Sequence, residues 1–101
     1  MLYKVQARYR EDRAGEFFQK LTDGSIAGQE PDGAEIVASM QRARITGDGV
    51  IQWYETCYCD TPLKHERETV YDFYLAEITT EPVAIKEKID GESFWNYLGN
   101  L

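Results

Sequence analysis

Polar and apolar positions alternate without a break from Leu2 to Arg10. Tyr3, Val5, Ala7 and Tyr9 fall on one side, and Lys4, Gln6, Arg8 and Arg10 on the other. That period of two predicts a half-buried strand. The period then changes. Ala14, Phe17, Phe18 and Leu21 recur at i, i+3, i+4 and i+7. This predicts a helix with one apolar stripe, capped by Asp12 and stopped at Gly24. Ser25 to Gly33 reads as a loop with Pro-Asp-Gly as a turn.

Glu35 to Ile45 fits two patterns. Asp32 followed by Glu35 resembles a capping box, and the Ala, Met, Gln and Arg content favours helix. Against that, Ile36 and Val37 are β-branched. The segment also leads into Asp48-Gly49, a hairpin signal, and then into the apolar run Val50 to Tyr54. We read it as a strand. A two-residue Asp48-Gly49 turn sets Arg44 opposite Trp53 and Arg42 opposite Glu55; a Gly47-Asp48 turn keeps the same faces. One face then holds Ile36, Ala38, Met40, Ile51, Trp53, Cys57 and Cys59, with Arg42, Arg44 and Glu55 toward its turn end. The other holds Val37, Ser39, Gln41, Tyr54, Thr56 and Tyr58.

A second helix follows, with Asp60 or Thr61 as N-cap and Pro62 as its first residue. Its inner stripe is Leu63, Arg67, Val70, Phe73 and Tyr74, which leaves His65 outside with Glu68, Thr69 and Asp72. Leu75 to Val83 reads as a strand that Pro82 confines to an edge or an end. Residues 84–101 form an extension with a short apolar helix around Phe94, Trp95, Tyr97 and Leu98. A helix that short must dock on its own domain or on a partner.

The element order β-α-β-β-α-β over residues 1–83 resembles the ferredoxin-like α+β fold, here with a C-terminal extension. Small domains of this kind resemble the dimeric α+β barrel superfamily, which includes cofactor-free monooxygenases, isomerases and YCII-like proteins. The resemblance implies an antiparallel sheet with both helices on one face. It also implies a homodimer whose open sheet faces enclose pockets. It brings no catalytic signature with it.

Composition narrows the partners. The 101 residues suit one domain. No apolar run reaches membrane-spanning length and the N-terminus does not read as a signal peptide, so a cytoplasmic location is expected. The net charge is −7. Residues 1–44 balance seven basic against seven acidic side chains, so the whole acidic excess lies beyond Arg44. That distribution disfavours a polyanionic partner, and no nucleic acid is expected. A small anion on the N-terminal half is compatible with it.

Chemistry-capable residues concentrate between Trp53 and Tyr74, which holds both cysteines and the only histidine. Cys57, Cys59 and His65, with Asp60 or Glu66 to complete a tetrahedron, are the zinc candidates, but on a strand the two thiols would stand about 6–7 Å apart, long for two ligands of one ion. We therefore expect no metal, read both as apolar core residues and name no cofactor. A Cys/His nucleophile pair would require His65 to meet a thiol, and the outer helix face argues against it. Arg42, Arg44, Glu55 and Trp53 read first as a structural cross-strand patch and second as a carboxylate or phosphate holder.

The better lead is the open sheet face, expected to carry Lys4, Gln6, Arg8, Ser39, Gln41, Tyr54, Thr56 and Tyr58. Aromatics mixed with amides, hydroxyls and cations suit a ligand pocket. The candidate ligand-binding residues are Arg8, Gln41, Tyr54, Thr56, Tyr58 and His65. For an enzyme we expect cofactor-free chemistry using Arg8, Tyr54, Tyr58 and His65. The alternative is a non-catalytic interaction or regulatory module using the acidic C-terminal half and the aromatic tail.

Overall fold

The N-terminal alternation forms strand β1, Leu2–Tyr9, with Tyr3, Val5 and Ala7 buried and Lys4, Gln6 and Arg8 on the opposite face. A 3-10 turn, Glu11–Arg13, leads into helix α1, Ala14–Thr22, with no side-chain cap from Asp12. Helix α2 spans Gly33–Arg42. Strand β2 is only Arg44–Ile45, and strand β3 is Ile51–Thr56. Helix α3 covers residues 64–74: an α turn Lys64–Glu66, a π turn Arg67–Tyr71 and a last α turn Asp72–Tyr74. Strand β4 is Leu75–Pro82, strand β5 is Glu92–Ser93, and helix α4 is Phe94–Gly99.

In the computed structural model, which describes residues 1–101, the five strands make one antiparallel sheet in the order β4-β1-β3-β2-β5. Pro82 ends an edge strand, where its missing N–H breaks no ladder. The helices cover one face. Val5, Ile51 and Trp53 from the sheet meet Phe17, Ile36, Met40, Val70 and Phe94 in one buried cluster. No helix is long and apolar enough to cross a membrane.

Three expectations are corrected. Residues 35–42 are helix, not strand. Ile36 and Met40 lie one turn apart and are wholly buried, so packing of a helical stripe overrides a weak β preference. Gln41 therefore stands on an exposed helix side and on no sheet face. Second, Arg44 pairs with Gln52 and Ile45 with Ile51. Thr46 and Val50 are hydrogen-bonded across a three-residue loop, Gly47 to Gly49, with Gly49 at φ +85°. An odd loop reverses the parity that a two-residue turn would give, so Arg44 moves to the open face. Third, α3 starts at Lys64 after Leu63 in the left-handed region at φ +57°, not at Pro62.

The extension is built in. Phe94 and Leu98 of α4 are buried in the domain's own core, Tyr97 shares a hydrogen bond with Tyr9, and Trp95 meets Phe18 edge-on. Since β4 and β5 lie at opposite edges of the sheet, residues 83–91 must pass from one to the other. They do so as a strap over the open face, where the Glu87 backbone N–H donates to the Tyr54 hydroxyl at 3.0 Å.

Candidate functional site

Between the strap and the sheet lies a hollow of about 560 Å³. Its lining is Arg42, Arg44, Tyr54, Lys86, Glu87, Lys88, Ile89, Asp90 and Gly91. The three-residue loop turns Arg44 outward toward it. Because β2 stops after two residues, the Tyr54 carbonyl has no strand partner; Arg42 Nη2 donates to it at 3.2 Å instead. The same nitrogen holds Glu35 Oε1 at 3.0 Å and Ser39 Oγ at 3.2 Å. Gly91, at φ +130°, closes the strap onto β2: a Cβ there would lie 2.7 Å from the Ile45 carbonyl oxygen.

Four cations and two acids line this hollow in a chain whose net charge is −7. Arg44, Lys86 and Lys88 form no ion pair within the protein. Their charge is available to a ligand, and concave walls concentrate the field of like charges. A second hollow of about 550 Å³ adjoins the first through Arg42, Tyr54 and Lys86, and is walled further by Asp32, Glu35, Thr56 and Tyr58.

Beneath the other face of β3 is a buried acid cluster. Glu55 is 1 % exposed; its Oε1 accepts from Trp53 Nε1 and from the Tyr71 hydroxyl, each at 2.8 Å. Its Oε2 is buried without a hydrogen-bond partner. The π turn sets Glu66 and Tyr71 on one inward face in place of Phe73, which is half exposed. Burial raises the Glu55 carboxyl above its ordinary range, against the lowering effect of its Trp53 and Tyr71 bonds. Burial, then the charges of Glu55 and Asp32, pushes Glu66 up to about 8. Burial first, then the Glu55 charge, raises the Tyr71 phenol well above its ordinary value.

Glu66 also belongs to two sets of metal-ligating side chains. One is Cys57, Cys59 and Glu66, and the other is Asp32, His65 and Glu66, each with its ligand atoms within 4.8 Å of one another. His65 Nδ1 is hydrogen-bonded to Asp32 Oδ2. The thiols converge because β3 ends at Thr56: the chain leaves the extended conformation, and the Cys59 N–H turns back onto Cys57 Sγ at 3.3 Å. The separation expected for two thiols on a strand therefore does not hold. Cys57 is buried as expected, but Cys59 is exposed.

Of the expected site residues, Tyr54 lies at the junction of the two hollows, and Thr56 and the 89 % exposed Tyr58 line the second. Arg8 is on the open face but outside both. It donates to the Asp48 carbonyl at 2.8 Å and pairs with Glu77 at 3.6 Å, bracing the β2–β3 loop. His65 is half buried against Asp32 instead of free on a solvated face. The expected Arg42–Arg44–Glu55–Trp53 patch is split by the sheet: Trp53 and Glu55 face the helices, while both arginines line the strap hollow. Lys86, Lys88 and Asp32 were not among the expected site residues, and Glu66 entered only as a fourth metal ligand. For the lysines a signal existed, since they are two of only four basic residues beyond Arg44.

Comparison of the chain with protein-family models, curated proteins and solved structures gives no match.

Proposed function

We propose that this protein binds a small anionic molecule, through a carboxylate or phosphate group, in the hollow between the strap and the open sheet face. One observation carries the reading: Arg42, Arg44, Lys86 and Lys88 converge on Tyr54 in a chain that is otherwise strongly acidic. The volume of about 560 Å³ suits a metabolite-sized ligand. Arg44 offers the forked geometry that carboxylates and phosphates prefer, and the lysines add unpaired charge. The strand order β4-β1-β3-β2, with helices on one face, supports a ferredoxin-like reading of the fold. A homodimer through this face would pack strap against strap and roof the hollow.

The alternative of a docking module built on the aromatic tail has less support, because Phe94 and Leu98 are already spent on the domain's own core. Calorimetric titration with inorganic phosphate and with succinate, at low and at physiological salt, tests the binding reading. Binding that weakens with salt and falls about tenfold in Arg44→Gln, the loss of roughly one charge-assisted hydrogen bond, agrees with it. Absence of heat for both anions, or an unaffected Arg44→Gln variant, refutes it.

A further inference from the structure

We propose that Cys57 Sγ, Cys59 Sγ and a Glu66 carboxylate oxygen bind one soft divalent cation of the zinc class. The three ligand atoms lie within 4.8 Å of one another. Bonds of about 2.0–2.3 Å place the corners of a zinc tetrahedron about 3.3–3.8 Å apart, so a small inward movement completes the set. Thiolate and carboxylate are the donors such an ion selects, and three protein ligands leave a fourth position open.

A second observation points the same way. Glu66 is 3 % exposed, and no lysine or arginine pairs with it. Behind it, Glu55 is more deeply buried still, with one oxygen that has no hydrogen-bond partner. A buried carboxyl either keeps its proton or needs a compensating cation or hydrogen-bond donor. No basic side chain supplies it here, whereas the open side of Glu66 faces two thiols. The Asp32–His65 pair stands beside the same carboxylate, with its atoms also within 4.8 Å of it. Binding replaces the protons on the two thiols and on the Glu66 carboxyl, which leave to solvent, with one cation.

The test uses the full chain, reduced and stripped with a chelator, then loaded separately with zinc and with cobalt(II) and dialysed. Elemental analysis is expected to find one equivalent of zinc retained. The cobalt form is expected to show a thiolate-to-metal charge-transfer band and the intense visible bands of a tetrahedral site. Cys59 is exposed, so Cys59→Ser leaves the core intact; it should lose the retained zinc and reduce the charge-transfer band. Glu66→Gln, close in shape, should weaken retention while circular dichroism stays native. No retained zinc in the folded native chain, a cobalt spectrum without a thiolate band, or equal retention by Cys59→Ser overturns the proposal.

Discussion

The Tyr54 hydroxyl accepts a hydrogen bond from the backbone N–H of Glu87 at 3.0 Å, and this contact pins the strap to the middle of the open sheet face. Both hollows include Tyr54 in their walls, so the same phenol anchors the strap and borders the space beneath it. Replacing it with Phe keeps the ring against the sheet and removes the acceptor. Tyr54→Phe is expected to cost about 1 kcal/mol of stability at most. It should speed amide exchange at Glu87 selectively. Unchanged exchange there would show that the strap is held by other contacts.

Gly91 is where the strap turns into β5. Its φ of +130° is open only to glycine, and a Cβ would collide with the Ile45 backbone. Gly91→Ala is expected to destabilise the fold by about 1–3 kcal/mol and to weaken phosphate binding through a displaced strap. Chemical denaturation and calorimetry read the two effects. A variant of native stability would contradict the close approach of strap and β2.

The buried Glu55 depends on two donors, and Tyr71 is one of them. Tyr71→Phe removes that donor while preserving the ring's packing against Trp53, 5.4 Å away between ring centroids. Loss of a donor to a buried carboxyl costs about 1–3 kcal/mol. A denaturation midpoint equal to that of the native chain would mean that Glu55 is satisfied by another group.

Tyr74 gives a pH dependence. Its phenol is pushed up to about 12, by burial first and then by its hydrogen bond to Glu16. The folded state therefore holds the phenolic proton more tightly than the unfolded chain. The resulting stability is fully present below the ordinary tyrosine range near 10 and is lost as pH rises toward 12. Tyr9, also raised to about 12, acts in the same window. The difference between the native chain and Tyr74→Phe isolates the Tyr74 share. The variant should lose stability less steeply between those pH values, and identical slopes would contradict the assignment.

How much of this was legible in the sequence depends on the element. The alternation of β1 and the stripe of α1 were plain, because each repeats one period over several residues. The helix at α2 was not, because its capping pattern competed with β-branched residues, and only the packing of Ile36 and Met40 decides. The loop at Gly47 to Gly49 was expected to be a two-residue turn, and its third residue moved Arg44 across the sheet. The π turn of α3 has no simple periodic signature, so the expected inner stripe took in Phe73, which is half exposed, and left out Glu66 and Tyr71, which are buried. The strap was invisible to local patterns, since it follows from β5 pairing with β2 at the far edge. Alternation alone put Tyr54 and Thr56 on the open face, where they line the hollows, whereas the cations around them come together only through long-range topology.

The most direct test of the anion reading is a nitrogen–proton NMR titration of the full chain with inorganic phosphate at low ionic strength. Saturable shifts are expected at the amides of Tyr54, Lys86, Glu87, Lys88 and Gly91, and should disappear in an Arg44→Gln/Lys88→Gln double variant that keeps the native spectrum elsewhere. Shifts scattered over the surface without saturation, or the same saturable shifts in the double variant, would contradict it.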